Sequence, residues 1–222
     1  MARSAPERPA PDRPPFSRFP LLPGGDKWRG MTIGLLGGSF NPAHAAHREI
    51  SLSALKRLGL DHVWWLVSPQ NPLKGTGDMA SLDRRVKQAQ KVAAHPKITV
   101  MDLESRLTSN YTADTIRTLV ERFPEVRFVW LMGADNLGQF DKWQKWEEIA
   151  RLVPFAIFDR PGYSMSAIAS KAAQRFRRQR LNEAYASLLS LKKPPAWIFC
   201  HGRKNPLSAT EIRKKMLHSE RL

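Results

Sequence analysis

The chain has 222 residues, of which 42% are hydrophobic, and it carries a formal net charge of +16. This length and apolar content suit one α/β domain with a packed core, and they exclude a wholly disordered chain. The single cysteine, Cys200, excludes an internal disulfide and a multi-cysteine zinc site, and it favours a reducing, cytoplasmic setting. The excess positive charge indicates a polyanionic partner: nucleic acid, an anionic membrane or a phosphate-rich small molecule.

The amino-terminal segment, MARSAPERPAPDRPPFSRFPLLPGG, is rich in proline and arginine. It lacks the apolar region of a signal peptide, and no run in the chain reaches the roughly 20 apolar residues of a membrane helix. Spaced prolines favour an extended, solvated chain. We therefore interpret residues 1–29 as a disordered leader before a single domain at 30–222, with Met31 as a candidate start. A chain that begins at Met31 is expected to keep its melting temperature and its activity.

Short apolar runs alternate with helical patterns along the rest of the chain. The predicted strands are 32–36, 62–67, 97–101, 126–132, 154–159 and 196–201, and the predicted helices are 42–58, 81–94, 112–123, 144–152, 166–189 and 209–217. Several strands are apolar on both faces, which is typical of parallel strands covered by helices on both sides. The alternation predicts an α/β fold with a doubly wound (Rossmann-like) parallel sheet. In such a sheet the site lies beyond the carboxyl ends of the strands.

The segment GGSFNPAHAAH (37–47) directly follows the first predicted strand. Its glycines lack the dinucleotide-binding spacing, but they allow the close backbone approach that a strand-to-helix turn over phosphates requires. Asn41 and Pro42 predict a helix start, which puts His44 in the first turn and His47 one turn later on the same side. A metal pair, a phosphate site and an ordinary capped helix all remain open from this segment alone.

A second candidate helix start, NPLSATEIRKK (205–215), follows the last predicted strand. Ser208 and Glu211 match a capping box, which is a sufficient explanation for these two residues. Thr210 and Arg213 would also face outward from this helix start, and arginine suits phosphate oxygens. Two helix starts, two histidines and an arginine around one point of the sheet indicate a triphosphate clamp.

The two motifs together resemble those of bacterial nicotinate-nucleotide adenylyltransferases, a branch of the nucleotidyltransferase superfamily with the histidine-x-glycine-histidine signature. Ala46 stands where the signature usually has glycine, and Ala209 stands at a position that is often serine. Three further segments resemble the same branch: NYTADT (110–115), MGADNLGQFDKWQKW (132–146) and FDRPGY (158–163). The resemblance extends from Met31 onward. It implies adenylyl transfer from ATP to nicotinate mononucleotide, which gives nicotinate adenine dinucleotide and pyrophosphate in NAD biosynthesis.

The resemblance also implies three sets of site residues. The catalytic set is His44, His47 and Arg213, and the ATP-binding set is Gly37, Gly38, Ser39, Phe40, Gly133, Ser208 and Thr210. The set that binds the nicotinate nucleotide is Tyr111, Thr112, Asp135, Trp143 and Arg160. Asn71 and Lys74 are added to this set because SPQNPLK (68–74) follows a predicted strand, and an ordinary solvent loop is their alternative. Trp143 is expected to stack on the pyridine ring, with core packing as its alternative, and Trp146 is the better candidate for the core. Asp135, at the end of a predicted strand, is expected to bind the ribose, with a helix cap as its alternative. Mg²⁺ is expected to bind through the ATP phosphates rather than through protein carboxylates.

Alternatives of two classes accompany this interpretation. The first class is a sister adenylyltransferase for nicotinamide mononucleotide or pantetheine phosphate, or a cytidylyltransferase; the aromatic segments and NYTADT argue against pantetheine phosphate and against cytidylyl transfer. The second is a basic nucleic-acid-binding protein, which needs exposed aromatics among basic residues on one surface, whereas most tryptophans here lie in predicted strands. The basic segment 171–180 is interpreted as a solvated face, with polyanion binding as its alternative. Oligomeric state stays open.

Overall fold

The computed structural model describes residues 25–69, 79–106, 111–160 and 163–202. Within these ranges, seven parallel strands form one sheet in the order β3-β2-β1-β4-β5-β7-β6. The strands are β1 (Thr32–Gly38), β2 (His62–Val67), β3 (Ile98–Met101), β4 (Arg127–Gly133), β5 (Phe155–Phe158), β6 (Arg180–Leu181) and β7 (Trp197–Cys200). The doubly wound parallel sheet predicted from the sequence is thereby confirmed, and β6 is a strand that the sequence did not predict.

Seven α-helices are described: α1 (Ala45–Arg57), α2 (Leu82–Ala93), α3 (Thr112–Arg122), α4 (Ala134–Leu137), α5 (Trp146–Leu152), α6 (Ser164–Ile168) and α7 (Lys171–Arg175). Short 3-10 helices span Gly25–Trp28, Leu103–Arg106, Phe140–Lys142, Arg177–Gln179 and Glu183–Leu191. Among the helices of the described ranges, none is both long and apolar enough to cross a bilayer. The predicted helix 209–217 lies outside the described residues.

The predicted helix 166–189 is wrong, because this part of the chain is broken into short pieces. The side chain of Ser170 accepts a hydrogen bond from the Ala173 N–H (3.3 Å), and that of Asn182 accepts one from the Ala184 N–H (2.9 Å). Each of these caps begins a new turn and ends the one before it. Between them, the buried Trp197 donates its indole N–H to the Phe176 carbonyl (2.7 Å), which fixes the break against β7.

Side chains alternate between two cores, one on each face of the sheet. Along β2, for example, Trp64 and Leu66 belong to the core covered by α3 to α7, whereas Val63 and Trp65 belong to the core covered by α1 and α2. All six β2 residues are buried, as expected for a strand covered on both sides. The sheet is therefore a central layer whose loops at the carboxyl ends are free to build a site.

The predicted leader boundary at residue 29 is wrong. Residues 25–28 form a 3-10 helix, and Trp28 is only 2% exposed. Its ring lies edge-on to Trp64 (5.2 Å between centroids) and His62 (4.9 Å), so it is part of the main core. A tryptophan buries a large apolar area, and this burial outweighs the tendency of the surrounding polar residues to stay solvated. Residues 1–24 lie outside the described part, and their interpretation as a leader stays a prediction.

Candidate active site

The site predicted from the sequence lies where the order of the strands reverses. β1 pairs with β2 on one side (Gly34 with Val63) and with β4 on the other (Gly34 with Val129). The loops that leave the carboxyl ends of β1 and β4 therefore run in opposite directions along the sheet and leave a crevice between them. The histidine motif leaves β1 at this crevice, and the segment that contains Asp135 leaves β4.

The two histidines stand side by side at the start of α1. The helix begins at Ala45 with His44 as its N-cap, so the predicted start at Pro42 is wrong. The reason is that the side chain of Asn41, instead of capping the helix, accepts a hydrogen bond from the Ala80 N–H (3.3 Å). His44 and His47 consequently lie one turn apart with ring centroids separated by 4.0 Å. They face the same side, as predicted.

Both imidazoles are held neutral. Burial lowers the pKa of His44 to about 4, with a further contribution from Arg160. Burial lowers the pKa of His47 to about 3, and His44 and Arg160 lower it further. Nδ1 of His47 accepts a hydrogen bond from the His44 N–H (3.2 Å), so the proton of the neutral ring is on Nε2. At neutral pH, His47 therefore presents an N–H donor to any group beyond Nε2.

Aromatic and polar contacts fix the position of His47. Its ring packs on Phe40 (4.8 Å between centroids), and Phe40 stacks on Trp65 (4.9 Å, 14° between planes). The Trp65 indole donates to Ser51 Oγ (2.7 Å), and Ser51 donates in turn to the His47 carbonyl (2.9 Å). The imidazole is thus preorganised from both its ring and its backbone, which is what a donor to a transition state requires.

A carboxylate and a guanidinium complete this side of the crevice. Oδ2 of Asp135, in α4, accepts a hydrogen bond from Arg160 Nη1 (2.8 Å). Arg160 lies two residues after the end of β5, next to Asp159. The second carboxylate oxygen of Asp135, Oδ1, is buried and has no hydrogen-bond partner among the described residues. A Cβ at Gly133 would come within 2.4 Å of Oδ1, so the glycine makes room for the carboxylate. Arg160 lowers the pKa of His44 and Asp135 raises it, as expected where the loops that follow β1, β4 and β5 lie close together.

Gly37 has a packing role that the sequence did not reveal. A Cβ at Gly37 would come within 2.4 Å of the Trp130 ring, whereas a Cβ at Gly38 would meet Phe40 at an ordinary 3.5 Å. Trp130 in turn lies edge-on to Trp143, with 6.3 Å between centroids. The absence of a side chain at Gly37 therefore admits an indole that supports Trp143, the candidate platform for the pyridine ring. The role of Gly37 in binding ATP stays a prediction.

The second candidate pocket lies at the start of α3. Thr112 is the first residue of α3, and Tyr111 is the N-cap of this helix. Tyr111 is 36% exposed. The first N–H groups of a helix have no acceptor within the helix, so this start offers donors to an anion. Asp114, one turn into α3, accepts from Lys145 Nζ (3.0 Å), which joins this helix start to the segment that follows Trp143. Trp143 and Trp146 are both partly buried against the core, so burial does not distinguish their roles.

Five candidate residues lie outside the described residues: Asn71, Lys74, Ser208, Thr210 and Arg213. One residue of the site region was missed from the sequence, the buried Arg85 in α2. A signal for it was present, because Arg85 lies three residues after Leu82 and four before Ala89, on the apolar face of the helix. Within the described ranges, no three His, Cys, Asp or Glu side chains come close enough together to hold a metal ion.

The chain is similar to known proteins over most of its length. Residues 35–215 match the cytidylyltransferase-like family model. Relatives named probable nicotinate-nucleotide adenylyltransferase include one from Methylorubrum extorquens strain PA1, which is 52% identical over 83% of this chain and 100% of its own length. Another from Bradyrhizobium sp. strain ORS 278 is 55% identical over 82% of this chain and 95% of its own.

Among solved structures, the nicotinic acid mononucleotide adenylyltransferase of Plasmodium falciparum superposes with a TM-score of 0.62. It shares 21% identity, and the superposition covers 83% of each chain. At this identity the likeness shows the fold alone. The curated relatives, however, are similar enough over almost their whole length to show the family: this chain belongs to the nicotinate-nucleotide adenylyltransferases.

Proposed function

We propose that the protein transfers the adenylyl group of ATP to nicotinate mononucleotide and releases pyrophosphate. One observation carries the proposal. The neutral histidine pair after β1 and the Asp135–Arg160 pair after β4 and β5 meet at the reversal point of the sheet. In doubly wound folds this is where nucleotides bind. More than half of the aligned residues are identical to those of relatives named for this activity, which supports the same reaction.

The reaction needs charge stabilisation and not proton abstraction. A phosphate oxygen of the mononucleotide, already ionised, forms a bond to the α-phosphorus of ATP. The bond from that phosphorus to the bridging oxygen breaks, and pyrophosphate leaves with the bonding electrons. Such an in-line transfer depends on positioning the two phosphates and on neutralising the charge that develops on the leaving group.

Neutral histidines suit that task. His47 Nε2–H and the His44 ring would donate hydrogen bonds to the oxygens of the α- and β-phosphates while both rings stay uncharged. Arg213 would bind the β- and γ-phosphate oxygens, and Ser39, Thr210 and the backbone of Gly37 and Gly38 would complete the cradle. Arg160 adds positive charge beside His44.

Mg²⁺ fits this site as a companion of ATP. The groups at the crevice offer nitrogen donors to phosphate oxygens, and the carboxylate of Asp135 is paired with Arg160 through Oδ2 and would bind the ribose through Oδ1. Mg²⁺ prefers oxygen ligands and keeps several waters, so phosphates of the nucleotide would hold it. The ion would supply additional neutralisation of the triphosphate.

We also propose a cytoplasmic location, which the single, buried cysteine supports.

The mononucleotide would occupy the crevice between β4 and α3. Asp135 Oδ1, buried and without a partner in the described part, would accept a hydrogen bond from a ribose hydroxyl. Trp143 would stack on the pyridine ring, and the N–H groups at Thr112 would bind the carboxylate on that ring. Tyr111 flanks the same helix start. A carboxylate accepts hydrogen bonds on both of its oxygens, whereas an amide accepts on one oxygen and has a donating NH₂ group in place of the other.

Pyrophosphate release tests the proposal. The enzyme is incubated with ATP and each of a panel of phosphate acceptors, and pyrophosphate is measured by a coupled assay while the adduct is identified by mass. With nicotinate mononucleotide we expect pyrophosphate and nicotinate adenine dinucleotide to form in equal amounts. No other acceptor in the panel should reach the rate of pyrophosphate release seen with nicotinate mononucleotide. Release that does not depend on the acceptor, or that is fastest with phosphopantetheine, would contradict the proposal.

A further inference from the structure

A buried arginine lies behind the phosphate turn. Arg85 is 1% exposed, and its guanidinium donates to four backbone carbonyls. Nη1 binds the carbonyls of Ser39 (2.6 Å) and Ser68 (2.7 Å), Nη2 binds that of Pro69 (2.8 Å), and Nε binds that of Ala80 (2.9 Å). One side chain therefore joins the turn after β1, the turn after β2 and the segment that precedes α2.

The bond to Ser39 controls the direction of a peptide group in the histidine motif. The Ser39–Phe40 bond is not among the cis peptides of the described chain, so the N–H of Phe40 points away from the carbonyl that Arg85 holds. Phe40 has a φ of +45°, a conformation that side-chain-bearing residues rarely adopt and that persists only when surrounding contacts impose it. Arg85 supplies such a contact.

The same turn carries the support of His47. The ring of Phe40 lies between His47 (4.8 Å between centroids) and Trp65 (4.9 Å). A rotation of the Ser39–Phe40 peptide would therefore move both a backbone donor of the glycine turn and the surface on which the imidazole packs. Displacements of about 1 Å at such positions can cost about a hundredfold in rate.

We propose that Arg85 is a positioning residue for adenylyl transfer: its planar fork fixes the Ser39–Phe40 turn so that the turn and His47 meet the triphosphate in a productive geometry. This inference rests on the function proposed above. Core filling alone does not account for the residue, because an apolar side chain on the buried face of α2 would avoid the cost of burying a charge. That burial lowers the pKa of Arg85, although a guanidinium stays charged at neutral pH.

Two substitutions separate positioning from stability. Arg85→Lys keeps the charge but cannot span four carbonyls with a planar fork, and Arg85→Gln keeps an amide donor without charge. The matched control is Arg84→Lys, the exposed neighbour on the same helix. Leu60→Ala serves as a second control, because Leu60 is buried at the opposite end of β1, and its truncation should lower stability without touching the turn.

Three quantities are measured for each variant: kcat/KM for ATP, the affinity for inorganic tripolyphosphate by calorimetry, and the affinity for nicotinate mononucleotide by tryptophan fluorescence. For Arg85→Lys we expect kcat/KM for ATP and tripolyphosphate affinity to fall about tenfold or more, in line with the loss of a preorganised donor. The affinity of Arg85→Lys for nicotinate mononucleotide should stay within about twofold of the wild-type value. All three quantities should be unchanged in Arg84→Lys. Leu60→Ala should have a lower melting temperature but wild-type values of kcat/KM and of both affinities at 20 °C.

Other results overturn the inference. Wild-type values in Arg85→Lys would show that the fork is dispensable, and an equal loss for both substrates that follows melting temperature would assign Arg85 to stability alone. Failure of both Arg85 variants to fold would do the same. If the wild-type enzyme itself forms no adduct from ATP and nicotinate mononucleotide, the proposed function fails, and tripolyphosphate affinity still reports on Arg85.

Discussion

Removal of residues 1–30 should destabilise the domain, because it deletes Trp28. The indole is 2% exposed and packs on Trp64 and His62. Loss of a buried tryptophan costs about 3–5 kcal/mol. A domain of this size loses about 2–4 °C of melting temperature per kcal/mol, so the expected decrease is about 6–20 °C. Activity at 20 °C should persist, since the contact to His62 is at the amino end of β2, away from the crevice.

The assay is thermal unfolding of the full chain, of a variant that begins at Met31 and of Trp28→Ala in the full chain. The two altered proteins should melt at similar temperatures, both well below the wild type, and Trp28→Phe should lie between because it keeps one ring in the cluster. A Met31 variant that melts within about 2 °C of the full chain would refute the reasoning, since that decrease corresponds to about 1 kcal/mol or less at this size.

Three further predictions concern the site and the sheet. His44→Ala and His47→Ala should each lower kcat by about a hundredfold or more with melting temperature little changed, whereas His95→Ala, remote from the crevice, should not; near-wild-type turnover in both would remove the pair from the mechanism. Burial lowers the pKa of His62 to about 4, below its usual 6.5, so the unfolded chain accepts a proton that the folded state resists. The unfolding free energy should therefore fall as pH drops from 6.5 towards 4. In urea titrations His62→Gln should make this dependence on pH less steep, and an equally steep dependence would contradict the prediction. Gly37→Ala, whose Cβ would come within 2.4 Å of Trp130, should lower the free energy of unfolding by about 1–3 kcal/mol. Gly38→Ala should unfold at nearly the same urea concentration as the wild type, and equal effects of the two substitutions would show that the Trp130 contact does not matter.

The sheet could be predicted because its strands carry their own signal. β2, for instance, is apolar at every position after His62, and its predicted bounds coincide with the observed ones. The positions of His44, His47 and Asp135 followed from the same rule, since loops at the carboxyl ends of parallel strands must meet. Elements whose boundaries depend on single side chains, such as the Asn41 hydrogen bond to Ala80, were placed less well.

The remaining features depend on contacts between distant segments, which no local pattern records. Trp28 is surrounded in the sequence by polar and basic residues, and only its packing on β2 makes it a core residue. Arg85 and Arg84 are adjacent and of the same type, yet one is buried against four carbonyls and the other is exposed. Gly37 is explained by a ring from β4, ninety-three positions further along the chain, at Trp130.

A competition reaction tests the central claim most directly. The enzyme receives ATP labelled at the α-phosphate with equal concentrations of nicotinate mononucleotide, nicotinamide mononucleotide and phosphopantetheine, so that the amounts of labelled adduct give the ratios of kcat/KM. The donors at the start of α3 have no acceptor in the amide NH₂ group, a mismatch worth about 2 kcal/mol or more. The label should therefore enter nicotinate adenine dinucleotide at least tens-fold faster than the nicotinamide adduct. Equal labelling of the acid and amide adducts would contradict the assignment of the pocket, and label found mainly on phosphopantetheine would contradict the proposed function itself.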